Sequence, residues 1–144
     1  YLGPGTGYAI NNLGVVAGEA EGPAIFRDGG VWPLGDLGGH GGIAAGINDL
    51  NQVVGTGYIS RTFHGFLWTE QEGMVDLNSI IDPESGWTLS TATAINEAGQ
   101  IIGNGLFDGK SFAYRLDPIP EPSTWALLGL GGFLSMLFHR RLKR

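Results

Sequence analysis

A nine-residue phrase occurs three times in this chain: Ile10-Asn11-Asn12-Leu13-Gly14-Val15-Val16-Ala17-Gly18, Ile47-Asn48-Asp49-Leu50-Asn51-Gln52-Val53-Val54-Gly55 and Ile95-Asn96-Glu97-Ala98-Gly99-Gln100-Ile101-Ile102-Gly103. Successive copies start 37 and 48 residues apart. Such spacing belongs to architectures built from one repeated supersecondary unit, and it is close to the length of a propeller blade.

The phrase reads as a hairpin. Its Asn (Asn11, Asn48, Asn96) can accept a hydrogen bond from backbone two residues on, and its fifth position is Gly14, Asn51 or Gly99, residue types that tolerate positive φ. Two residues in the helical region followed by a left-handed one make a type I turn with a G1 bulge, a common joint between antiparallel strands. The apolar pair after it opens the next strand.

A second element follows each phrase: Ala24-Ile25-Phe26, His64-Gly65-Phe66-Leu67-Trp68 and Ser111-Phe112-Ala113-Tyr114. In the first two units it runs through a polar turn into a short strand, Val31 to Leu34 or Met74 to Leu77. Four short strands per unit predict an all-β fold of repeated four-stranded antiparallel blade-like units, a partial β-propeller-like structure. Composition agrees, since 26 glycines with only 15% charged residues suit short turns between strands and argue against a helical bundle. The absence of cysteine removes disulfides and thiolate chemistry. A chain opening at Tyr1, with neither an initiator Met nor a basic and apolar leader, is expected to be a fragment whose export signal and further blades lie upstream.

The terminal stretch is built differently. Pro120-Glu121-Pro122 and Ser123-Thr124 precede an uncharged run, Trp125-Ala126-Leu127-Leu128-Gly129-Leu130-Gly131-Gly132-Phe133-Leu134-Ser135-Met136-Leu137-Phe138, and a basic end with Arg140, Arg141, Lys143 and Arg144. As a helix the run spans about 21 Å, short of a hydrocarbon core of about 30 Å. Ser123, Thr124 and snorkelling Arg140 and Arg141 extend it to the lower edge of the spanning range, and Trp125 suits an interface. Residues 1–122 carry four Lys or Arg and all fourteen Asp and Glu, a net of −10, whereas 123–144 carry +4. A basic cluster after an apolar run stays cytoplasmic, which puts the acidic body outside. The expected division is therefore a β-repeat region, 1–117, and a membrane segment, 118–144, holding one C-terminal hydrophobic helix.

Two resemblances rest on these residues. Pro120 to Trp125, the apolar run and the Arg-rich end resemble the PEP-CTERM sorting signal. That resemblance implies export in a Gram-negative bacterium, inner-membrane tethering through the helix, and processing near Pro-Glu-Pro by an exosortase-type membrane protease, with an envelope or extracellular destination. Tails of this kind also carry a name that refers to ice-binding proteins. A flat ice-binding face needs many regularly placed Thr, and the only Thr-x-Thr here is Thr91 with Thr93. The repeated phrase with its aromatic element is similar to the HAF repeat of exported bacterial proteins over residues 1 to 116. In that alignment Gly65 replaces the middle Ala, and Pro23-Ala24-Ile25 and Lys110-Ser111-Phe112 stand where His-Ala-Phe is wanted.

No catalytic motif emerges, and His40, His64 and His139 are isolated, so neither a metal set nor a cofactor is expected. The loop Asp82-Pro83-Glu84-Ser85-Gly86-Trp87 is the candidate binding site, through Asp82, Glu84 and Trp87: paired carboxylates run glycoside hydrolysis, and a Trp stacks on sugar rings. Two acids flanking a proline are more often turn chemistry. The acidic body disfavours nucleic acid. The function expected is a noncatalytic, envelope-sorted protein binding surface or matrix components, with membrane lipid, the processing protease and extracellular polysaccharide as partners. The alternative is a carbohydrate-active or other hydrolase whose site lies in a repeat loop or in blades upstream.

Overall fold

The computed structural model describes residues 1–119 and the short strand 141–143. Three antiparallel sheets follow one another along the chain. The first is β1 (Thr6–Ile10), β2 (Val16–Glu19), β3 (Pro23–Arg27) and β4 (Gly30–Pro33), in that spatial order. The second is β5 (Gly39–Ile47), β6 (Val53–Ile59), β7 (Thr62–Thr69) and β8 (Gly73–Asp76). In the third, β9 (Trp87–Leu89) and β10 (Ala94–Ile95) both pair with β11 (Ile101–Phe107), which continues to β12 (Lys110–Asp117) and β13 (Arg141–Lys143).

Each nine-residue phrase forms the first hairpin of its sheet. Gly14, Asn51 and Gly99 have φ of 80°, 55° and 75°, the left-handed position the turn requires. Backbone bonds close it in the same way each time: Gly14 N–H to the Asn11 carbonyl at 3.1 Å, Asn51 to Asn48 at 3.1 Å, and Gly99 to Asn96 at 3.0 Å. The hairpins β6–β7 and β11–β12 end in Ser60-Arg61 and Asp108-Gly109, with positive φ at both positions. Such turns match the right-handed twist of the strands they join.

Alternation along the strands sends neighbouring residues to opposite faces. Val53 and Phe66 of the middle sheet therefore pack on Val15, Ala17, Ile25 and Leu34 of the first unit. Val54 and Leu67 pack on Leu89, Ala92, Ile101, Tyr114 and Leu116 of the third. The middle sheet is thus covered on both faces. Each large side chain fully buried this way contributes about 1.5–3 kcal/mol. Gly65 allows the close approach on the third-sheet side: a Cβ there would lie 3.1 Å from the Thr91 carbonyl carbon and 3.2 Å from the Ala92 nitrogen.

Several expectations are refined or corrected. The strand register sets Phe66 level with Ala24 and Tyr114, since they oppose Gly55, Gly18 and Gly103 of the phrase. The counterparts of His64-Gly65-Phe66 are therefore Gly22-Pro23-Ala24 and Phe112-Ala113-Tyr114, not Pro23-Ala24-Ile25 and Lys110-Ser111-Phe112. Among the described residues the three sheets do not close a ring. The fourth strand of the third sheet comes from the basic end: Asp117 pairs with Arg141, Leu116 with Leu142 and Arg115 with Lys143. Arg141 and Lys143, expected to stop a membrane segment, are on the edge strand of this sheet. The sorting residues Pro120 to Thr124, the apolar run Trp125 to Phe138, and Arg140 and Arg144 lie outside the described residues, and so does the expected helix. Among the described residues no helix is long and apolar enough to cross a membrane.

Candidate functional site: an asparagine ladder and an aromatic cleft

The repeated Asn does more than hold its own turn. Asn11 Oδ1 accepts from the N–H groups of Leu13 and Val15, and Asn48 Oδ1 from Leu50 and Gln52, all at 2.9–3.1 Å. The other end of each amide points to the next sheet: Asn11 Nδ2 donates to the Asn48 carbonyl at 3.0 Å, and Asn48 Nδ2 to the Asn96 carbonyl at 3.0 Å. A parallel rung runs one residue on. Asn12 N–H donates to Asp49 Oδ1 at 2.7 Å, and Asp49 N–H to Glu97 Oε1 at 2.9 Å. The ladder is directional, with each unit donating to the one after it.

A second joint ties the middle sheet to the third. His64 Nδ1 lies 2.6 Å from Asp76 Oδ2, both side chains being 18% exposed. Asp76 Oδ1 accepts from the backbone N–H of Asn78 at 2.8 Å. Asn78 then grips β9 from both sides, accepting from the Leu89 N–H at 2.7 Å and donating to its carbonyl at 2.9 Å. Among the described residues nothing is hydrogen-bonded to His64 Nε2. No three His, Asp or Glu side chains converge among them to hold a metal ion.

The loop preceding β9 separates its two kinds of residue. Asp82 Oδ1 accepts from Glu84 N–H at 2.9 Å and its carbonyl from Ser85 at 3.0 Å, so Asp82 shapes the turn, and Glu84 is exposed. Trp87 leaves them and joins Phe107 and Phe112, with ring centroids 5.3 and 6.2 Å away. With Ala113 these rings line a cleft of about 210 Å³. Phe107 was not singled out in the sequence, and Phe112, read there as part of the aromatic element, lies half exposed on the cleft; the register Phe107↔Trp87 across β11 and β9 brings the rings together.

A larger groove, about 480 Å³, opens at the same end of the sheets as the β6–β7 tip. Its walls include Tyr58 and Phe63, whose rings are 4.2 Å apart, with Thr56, Ser90, Thr91 and Glu19. It offers two aromatic faces, four hydroxyls counting that of Tyr58, and one carboxylate.

Comparison with known proteins adds one finding about the tail. Residues 118–141 match the model of the PEP-CTERM protein-sorting motif. The match gives no support to the HAF or ice-binding designations. No curated protein and no solved structure matches the chain.

Proposed function

We propose that this chain is an exported, envelope-sorted, noncatalytic repeat protein, delivered by its tail to an exosortase-type membrane protease, whose sheets bind an extracellular polysaccharide. The observation that carries the sorting half is the match of residues 118–141 to the PEP-CTERM motif. The binding half is supported by the cleft of Trp87, Phe107 and Phe112, since aromatic faces stack on the apolar faces of sugar rings and gain from area burial in doing so. Asp82 and Glu84 favour binding over hydrolysis, because Asp82 is occupied in its own turn and neither side chain lines the cleft.

Two measurements test the reading. Intact mass of the protein recovered outside the cell should show loss of Trp125 to Arg144, and a retained tail overturns processing. A glycan array probed with the full chain in detergent should give saccharide signals that fall at least tenfold in Trp87→Ala but persist in Trp32→Ala. Equal signals in both variants rule out the cleft as the binding site.

A further inference from the structure

The groove at the β6–β7 tip draws its walls from all three units: Glu19 of the first, Thr56, Tyr58 and Phe63 of the second, and Ser90 and Thr91, which follow β9 in the third. It shares no lining residue with the Trp87 cleft. Part of the wall is an apolar shelf, because the rings of Tyr58 and Phe63 pack at 4.2 Å with their planes 44° apart and remain 37% and 45% exposed.

Polar groups beside this shelf have capacity to spare. Among the described residues the hydroxyls of Thr56 and Ser90 have no hydrogen-bond partner, and solvent reaches both. Thr91 Oγ1 accepts from Asn104 N–H at 3.1 Å and keeps its own proton to donate. Glu19 Oε1 is taken by the Tyr8 hydroxyl, whereas Oε2 has no partner among the described residues. The charge on the described wall is Glu19's alone. Arg61, in the turn between Tyr58 and Phe63, does not line the groove, and Arg27 is held by Glu70 at 2.6 Å.

Each feature narrows the ligand. Aromatic faces stack on the apolar face of a sugar ring, and open protein hydroxyls take the place of water around the ring's own hydroxyls. A wholly apolar ligand would strand Thr56 and Ser90 away from water. A carboxylate oxygen beside an aromatic pair suits an ammonium group, which is drawn to both. An acidic saccharide meets the opposite, since Glu19 in the groove and the net of −10 on residues 1–122 both repel it.

We propose that this groove is a second saccharide site, specific for amino sugars whose amine is free and protonated, as in a partly de-N-acetylated polysaccharide. The sugar ring lies on Tyr58 and Phe63, its hydroxyls exchange hydrogen bonds with Thr56, Ser90 and Thr91, and its ammonium group pairs with Glu19 Oε2. The proposal rests on the polysaccharide reading above and adds to it the charge class of the polymer and a site outside the Trp87 cleft.

The test uses the full chain in detergent and two trisaccharides, one of glucosamine and one of N-acetylglucosamine, titrated calorimetrically at a pH that keeps the free amines protonated. The glucosamine trimer should bind about tenfold more tightly than the acetylated one. Phe63→Ala and Glu19→Gln should each weaken it about fivefold. Glu72→Gln, exposed in the β7–β8 turn at the opposite end of β7, should leave it unchanged. Equal losses in Glu19→Gln and Glu72→Gln mean attraction by overall charge and overturn the proposal, as does equal affinity for the two trimers. Trp87→Ala separates the groove from the cleft. Binding lost in Trp87→Ala but kept in Phe63→Ala overturns the groove and leaves the polysaccharide reading standing, whereas the reverse pattern supports the groove and removes the cleft. Failure of both trimers to bind overturns the groove proposal, while the glycan array still decides the cleft.

Discussion

Asn48 Nδ2 sits 3.0 Å from the carbonyl oxygen of Asn96, a residue 48 positions away, while Oδ1 of the same amide holds the turn in which Asn48 itself lies. One side chain, 1% exposed, thus fixes a local turn and a contact between sheets together. Replacing it with Ala strands the N–H groups of Leu50 and Gln52 and removes a donor from the Asn96 carbonyl. Each unsatisfied buried group costs about 1–3 kcal/mol. Asn48→Ala should lower unfolding free energy by about 3 kcal/mol in urea titration, and the exposed Asn96→Ala by about 1 kcal/mol.

The glycines of the phrase test how tightly the sheets are stacked. A Cβ on Gly103 would overlap the carbonyl oxygen of Thr91, a backbone atom with little room to move. Gly103→Ala should cost about 1–3 kcal/mol or more. Gly30→Ala, where a new Cβ meets only ordinary contacts at 3.5 and 3.7 Å, is the comparison and should change stability by less than about 1 kcal/mol in the same titration.

Asn78 offers a separate handle on the joint between the second and third sheets. Asn78→Ala leaves the buried Leu89 N–H and carbonyl without their side-chain partner and should cost about 2 kcal/mol. Hydrogen exchange locates the effect: the Leu89 amide should exchange faster while the Val16 amide in the first sheet is unchanged. Equal acceleration at both sites would mean global unfolding rather than loss of one joint.

Tyr8 gives a pH signature. Its hydroxyl donates to Glu19 Oε1 at 3.0 Å, and that hydrogen bond, followed by desolvation and the nearby carboxylate charge, raises the phenol above its ordinary value of about 10. A group whose pKa is raised on folding contributes below its unfolded value and loses that contribution as pH climbs through the folded one. The β1–β2 contact should therefore hold at neutral pH and weaken above about pH 10. Phenolate absorbance should contain a late-titrating component from Tyr8, and Glu19→Gln should return that component toward the ordinary value.

The hairpin at each phrase was legible in the sequence because its turn depends on local chemistry alone. A residue that tolerates positive φ stands at position five, and an Asx side chain stands three residues before it. The reach of Asn11 and Asn48 to the next sheet was not legible, since a turn needs only the Oδ1 of such a residue and says nothing about Nδ2. A residue retained in all three copies where the turn alone would accept Asp was the available signal. The aromatic element was recognised but misaligned by one residue in the first unit, where the hairpin β2–β3 is shorter than β6–β7, and by two in the third, although Gly55 to Phe66 and Gly103 to Tyr114 are the same distance along the chain. Only ladder pairing fixes that register. The cleft was half visible through Trp87, and Phe107 joined it through strand pairing that spacing alone does not reveal. Nothing local to Arg141-Leu142-Lys143 announced a strand, as its apolar content is a single leucine.

Asp117 and Arg141 occupy facing places on one ladder, so β13 covers the outer edge of β12. On the proposed sorting route the same basic residues would be held at a membrane, and pairing with β12 and that placement are then alternative destinies for Arg141–Lys143. Release of β13 would leave β12 with bare amide and carbonyl groups along its margin, so delivery by the tail would carry with it the exposure of a pairing edge.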